Sequence, residues 1–112
     1  MNNSKIMIIG TGGTIAGTGN GSSALTEYRA GSIGVDDLMQ AVPALKEYGP
    51  FESVQFSNID SSEMSPYRWV RLAKLVNEVA GREDIGGIVI THGTDTMEET
   101  AYFLQLTVHT KK

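Results

Sequence analysis

An α/β fold built on a mostly parallel sheet follows from three features of this 112-residue sequence. The apolar runs at 6–9 and Ile85–Thr91 are continuous rather than alternating, the pattern of strands covered on both faces. A looser alternation around Val54, Phe56 and Ile59 marks a further strand over Phe51–Ile59. Stretches with helical periodicity fill the intervals, so the order is β-loop-α-β-α-β-α, which implies right-handed crossovers between parallel strands. The length suits one small domain, with neither internal repeat nor low-complexity segment.

Taken in order, residues 6–9 form the first strand, which Gly10 is expected to end. Residues 17–34 carry glycine at 17, 19, 21, 31 and 34 and read as a long loop, of the kind that serves as a lid or a binding loop. Residues 35–42 form a short helix with Asp36 and Asp37 in its first turn, and Pro43 closes it. Ser65 and Pro66 make a good helix start, as N-cap and first helical residue. The helix that follows places Trp69, Leu72, Ala73, Val76, Val79 and Ala80 on one stripe. Arg68, Arg71, Lys74, Glu78 and Arg82 fall largely on a solvated side. Residues 96–108 then form a helix expected to bury Met97, Ala101, Leu104 and Val108.

Composition excludes several classes of function. Nine basic residues stand against 13 acidic, for a net charge of −4, with no basic stripe. Nucleic acid and an anionic membrane surface are therefore not expected partners. The chain has no cysteine, which removes disulfides, Cys-ligated zinc and thiol catalysis. Asp36 and Asp37 are adjacent and point to different sides of a helix, and no His/Asp/Glu group has ligand spacing, so no metal is expected. The N-terminal apolar stretch is too short for a signal peptide. The chain as written is expected in the cytoplasm, with a periplasmic or secreted location for a chain whose signal has been removed.

The candidate chemistry lies at the carboxyl ends of the strands, where open parallel sheets bind ligands. Three polar segments fall there: 11–14 (TGGT), 60–63 (DSSE) and 92–96 (HGTDT). A threonine hydroxyl such as that of Thr14 becomes a nucleophile only when a neighbouring base activates it. Glycines beside it let a substrate approach the backbone and leave N–H groups to face a developing oxyanion. Asp95 could orient a base or receive a substrate ammonium. His92 is expected to satisfy backbone groups at a strand end rather than act as a base. Nucleotide-binding fingerprints fail on inspection: a dinucleotide motif would need glycine where Ile15 stands, and a phosphate loop would need lysine where Thr18 stands.

The segment 11–16 (TGGTIA) after an apolar strand resembles the first signature of the bacterial-type asparaginase and glutaminase-asparaginase family. Residues 87–97 (GIVITHGTDTM) resemble its second, and 98–104 (EETAYFL) are similar to its secreted, type II branch. The resemblance covers nearly the whole chain and implies a three-layer, flavodoxin-like domain. It implies hydrolysis of L-asparagine, with L-glutamine as a possible second substrate, to the carboxylate and ammonia through a threonine acyl-enzyme and without a cofactor. By resemblance Thr14 is the nucleophile, and Tyr28 belongs to a flap at about 17–34 that closes over substrate. Thr94 is the second active-site threonine, Asp95 holds the substrate α-amino group, and Ser61 binds its α-carboxylate. Gly13 and Gly93 line the same pocket.

Two departures qualify the resemblance. Ser62 stands where many relatives have Gln or Glu near the substrate ammonium, which hands that role to Glu63 or to water. The family's catalytic lysine lies further downstream, and Lys111 and Lys112 follow the second motif too closely to replace it. Residues 1–112 therefore read as part of the N-terminal domain of an asparaginase, inactive alone. Its full-length relatives are expected to be homotetramers built from intimate dimers. The alternative is a non-catalytic chain that binds small amino acids or associates with a complementary chain through a sheet edge. The amidase reading requires the hydroxyls of Thr14 and Thr94 to meet around one small-molecule pocket.

Overall fold

The structure is a computed structural model that describes residues 4–12, 35–59 and 61–112. Three parallel strands, β1 (Lys5–Gly12), β2 (Phe51–Ile59) and β3 (Ile85–Thr91), form a sheet of order β2-β1-β3. Helix α1 (Val35–Gln40) and a 3-10 turn (Pro43–Glu47) precede β2. A second 3-10 turn (Ser61–Glu63) and helix α2 (Pro66–Ala80) link β2 to β3, and helix α3 (Met97–Thr107) follows β3. The parallel α/β architecture expected from the apolar runs is the one observed.

The register explains the layers. Met7 and Ile9 on β1 stand beside Ile88 and Ile90 on β3, and both pairs belong to the core that α2 supplies with Leu72, Val76 and Val79. Ile9 and Leu72 are fully enclosed. Ile8 points to the opposite face beside Ser53, whose hydroxyl donates to the carboxylate of Asp36 on α1. Helices thus cover both faces of the sheet, which is why β1, at its centre, tolerates an uninterrupted apolar sequence. Val89, in register with Ile8, lies on the α1 side of β3 and is 49% exposed.

Local chemistry sets the bounds of α2. The Ser65 side chain accepts a bond from the Arg68 N–H at 3.4 Å, and Pro66 occupies the first helical position. The Gly81 N–H then bonds back to the carbonyl of Asn77. The stripe read from periodicity is the buried face at Leu72, Ala73, Val76 and Val79.

The structure corrects four expectations. Gly10 does not end β1: it pairs with Gln55 and Thr91, and the strand runs on to Gly12 through an irregularity between the two glycines. Gly12 adopts φ 93°, a backbone region costly for any residue with a Cβ. Helix α1 stops at Gln40, because Pro43 opens a 3-10 turn of its own. Helix α3 exposes Met97 and Ala101 and buries Thr100, while Leu104 and Val108 are only half-buried. Its facing is set by Trp69, whose ring stacks near Phe103 at 6.1 Å and whose N–H reaches Thr100. Arg82 is not a free surface charge: it grips Glu52 through two bonds at 2.8 and 2.9 Å and Asp84 through two at 3.0 and 2.7 Å.

That grip occupies the amino end of the sheet, where Lys5 adds contacts of 3.5 Å to Glu52 and 3.7 Å to Asp84. The guanidinium of Arg82 holds both carboxyls below the usual carboxylate range, and they in turn raise its own proton affinity. Among the described residues no helix is long and apolar enough to cross a membrane.

Candidate active site at the carboxyl ends of the strands

The opposite end of the sheet is tied by hydroxyl groups. Thr11, at the tip of β1 and 3% exposed, donates its hydroxyl to the carbonyl of Thr91 on β3 at 2.6 Å. The carbonyl of Thr11 in turn accepts the hydroxyl of Ser57 on β2 at 2.9 Å. These two bonds lace the three strand ends side by side. Segments that leave the tips of β1 and β3 therefore start from neighbouring points, although they lie some eighty residues apart in sequence.

The segment leaving β3 is anchored from below. His92 is 8% exposed and Gly93 is buried, whereas Thr94 and Asp95 are exposed. Nδ1 of His92 lies 2.6 Å from the carbonyl of Gly93. Nε2 lies 2.9 Å from the hydroxyl of Thr100, itself 3% exposed, and that hydroxyl accepts the indole N–H of Trp69 at 2.7 Å. His92 thus satisfies a backbone group at the strand end, as expected of it. Thr100 N–H bonds to the carbonyl of Thr96 at 3.1 Å and starts α3, whose first turn carries Glu98 and Glu99 where the helix dipole favours negative charge. A small apolar cavity of about 140 Å³, lined by Ile90, His92, Met97, Thr100, Ala101 and Leu104, lies beneath this loop.

The expected site residues fall into three groups. Gly93, Thr94 and Asp95 sit together on the loop after β3. Ser62 and Glu63 follow the tip of β2 in the 3-10 turn, both exposed, and the carbonyl of Glu63 accepts a bond from Arg68 at 2.7 Å. Ser61 opens that turn, but its side chain lies outside the described residues, as do Gly13, Thr14, Tyr28 and the whole 17–34 segment. No group of three or more His, Asp or Glu among the described residues could hold a metal.

Sequence reasoning missed Trp69 and Thr100. Periodicity places Trp69 only on an apolar stripe and selects Ala101 rather than its neighbour Thr100. Two signals were available. A tryptophan facing a core needs a partner for its indole N–H, and a threonine eight residues along from a strand-end histidine can offer one.

Known proteins resemble the chain along its length. The family model described as Asparaginase, N-terminal matches residues 5–112. L-asparaginase 2 of Escherichia coli is 50% identical over 108 residues, which are 96% of this chain and 30% of that protein. L-asparaginase 2 of Bacillus subtilis is 46% identical over 108 residues, again 96% of this chain and 29% of the relative. The crystal structure of a probable cytoplasmic L-asparaginase from Campylobacter jejuni superposes with a TM-score of 0.83 at 52% identity, covering 90% of this chain and 31% of that one. The chain spans about a third or less of the length of these relatives. With laced strand ends, an anchored loop after β3 and a family match over residues 5–112, the chain belongs to the asparaginase family, in the N-terminal part of its architecture.

Proposed function

We propose that the chain forms part of an L-asparaginase that hydrolyses the side-chain amide of L-asparagine to L-aspartate and ammonia through a threonine acyl-enzyme. The observation that supports this reading most is the pairing of β1 and β3, tied at their carboxyl ends by the Thr11 to Thr91 bond of 2.6 Å. That adjacency lets Thr14, two residues beyond Gly12, and Thr94, three beyond Thr91, serve one pocket.

In this mechanism the hydroxyl of Thr14 attacks the amide carbon, and backbone N–H groups of the glycine-rich turns steady the oxyanion. Ammonia leaves, and water attacks the resulting ester to release aspartate and regenerate the hydroxyl. Thr94 supports activation of the nucleophile or the water. Asp95 receives the substrate ammonium, Ser61 its α-carboxylate, and Tyr28 closes over the bound amino acid. Ser62 in place of a longer polar residue leaves room beside the ammonium, where Glu63 or a water completes the contacts.

The test replaces the matching 108-residue segment of the Bacillus subtilis L-asparaginase 2 with this chain and measures ammonia release from asparagine. A folded, active chimera is expected, and Thr14→Ala in it should lower turnover at least about a thousandfold. Turnover that survives Thr14→Ala would remove that residue from the mechanism. A chimera that folds without activity would favour the reading of a non-catalytic chain.

A further inference from the structure

We infer that Trp69, Thr100 and His92 form a positioning relay that sets the direction of the Gly93–Thr94 peptide and so holds the loop bearing Thr94 and Asp95. The direction of each bond follows from which atoms own protons. A carbonyl oxygen only accepts, so the contact of 2.6 Å between His92 and the Gly93 carbonyl places the ring proton on Nδ1. In the neutral ring Nε2 is then an acceptor, and the hydroxyl of Thr100 donates to it across 2.9 Å. Because that hydroxyl has spent its proton, it can accept from a neighbour, and the indole N–H of Trp69, which only donates, fills the place at 2.7 Å. Each donor in the series meets one acceptor, and the order cannot be reversed at either end.

The consequence reaches the surface through covalent geometry. In a trans peptide the C=O and the following N–H point in opposite directions. With the Gly93 carbonyl held inward by a buried imidazole, the N–H of Thr94 must point away from His92, toward the exposed rim where Thr94 and Asp95 lie. The relay crosses from α2 to α3 to the end of β3, joining three elements at one loop. None of the three side chains is placed against substrate, so all three are positioning residues. The relay's relevance to catalysis rests on the function proposed above, whereas the relay itself stands on three hydrogen bonds.

The experiment reads ring nitrogens and loop amides by NMR in the 112-residue chain at neutral pH, without substrate, so its outcome is independent of whether asparagine is hydrolysed. Long-range proton–nitrogen correlation is expected to show the His92 proton on Nδ1, with Nε2 unprotonated. Any other protonation pattern overturns the relay. Thr100→Val preserves shape but removes the hydroxyl. It should move the Nε2 resonance toward that of an imidazole nitrogen without a donor, broaden the Nδ1–H signal as the ring loses its tether, and shift the amides of Gly93, Thr94 and Asp95. Thr100→Ser should restore all three. A His92 that only fills space would leave the loop amides unmoved in Thr100→Val, and that result would sink the inference. Should Thr100→Val unfold, Trp69→Phe keeps the stacking against Phe103 and removes one donor. It is expected to move the same amides in the same direction by less, and unmoved amides would again contradict the relay.

Discussion

The two ends of the same three strands are held by opposite means. At the amino end four charged side chains, Lys5, Glu52, Arg82 and Asp84, clamp the strands through ion pairs whose side chains are 35–45% exposed. At the carboxyl end the ties are neutral hydroxyl bonds from Thr11 and Ser57, with a buried imidazole beneath the loop after β3. Exposed ion pairs are screened by water and salt and contribute modestly to stability. Short neutral bonds between enclosed groups leave no net charge behind. If the site binds a zwitterionic amino acid, as proposed above, that arrangement lets the charges it presents be those that bind substrate. On the proposed function, the difference teaches that the amino end serves the fold and the carboxyl end serves the chemistry.

Changes at the two ends should accordingly separate turnover from stability. The largest expected effect is the loss of turnover on Thr14→Ala in the chimera, with the thermal midpoint unchanged. A large fall in that midpoint would break the division of labour. Next is Asp95→Asn, which on the proposed function removes a charged partner of the substrate ammonium. KM should rise by roughly ten- to a hundredfold, the range a hydrogen bond to a charged group commands, while kcat changes less. An unchanged KM would take Asp95 out of amine recognition.

Smaller effects are expected at the amino end. Arg82→Leu should lower the thermal midpoint modestly and leave kcat and KM as they were. A kinetic effect as large as that of Asp95→Asn would show that the ends are coupled. Acid sharpens the same contrast. Arg82 holds the carboxyls of Glu52 and Asp84 below their ordinary values. The stability they confer is therefore complete above the unfolded carboxylate range near about 4 and is lost as pH falls through the lower folded values. Urea unfolding of the parent between neutral and acid pH should show that loss, and Arg82→Leu should flatten it. An equally steep pH dependence in the variant would assign the effect to other carboxyls.

Much of this was legible in the sequence where one local signal sufficed. The apolar runs and their turn residues placed β2 and β3 at their observed bounds, and Ser65 with Pro66 placed the start of α2. The segment 92–96 was found because polar residues at a strand end are conspicuous, and the structure sets Thr94 and Asp95 there. What escaped depends on partners distant in the chain. The buried face of α3 turns on Trp69, thirty-one residues from Thr100, and Arg82 reads as surface until β2 brings Glu52 beside it. Gly10 looked like a stop because glycine usually punctuates, yet a central parallel strand accepts it where both neighbours pair with it.

The most direct measurement of the central claim uses the absence of cysteine from the sequence. A chain carrying Thr14→Cys and Thr94→Cys has only those two thiols, and a short bifunctional thiol reagent can join them only if they share a pocket. Intramolecular cross-linking is expected in high yield, with none in a control that pairs Thr14→Cys with Asp84→Cys at the other end of the sheet. If both thiols react with a monofunctional reagent and yet never cross-link to each other, the two threonines do not face a common pocket and the amidase reading fails.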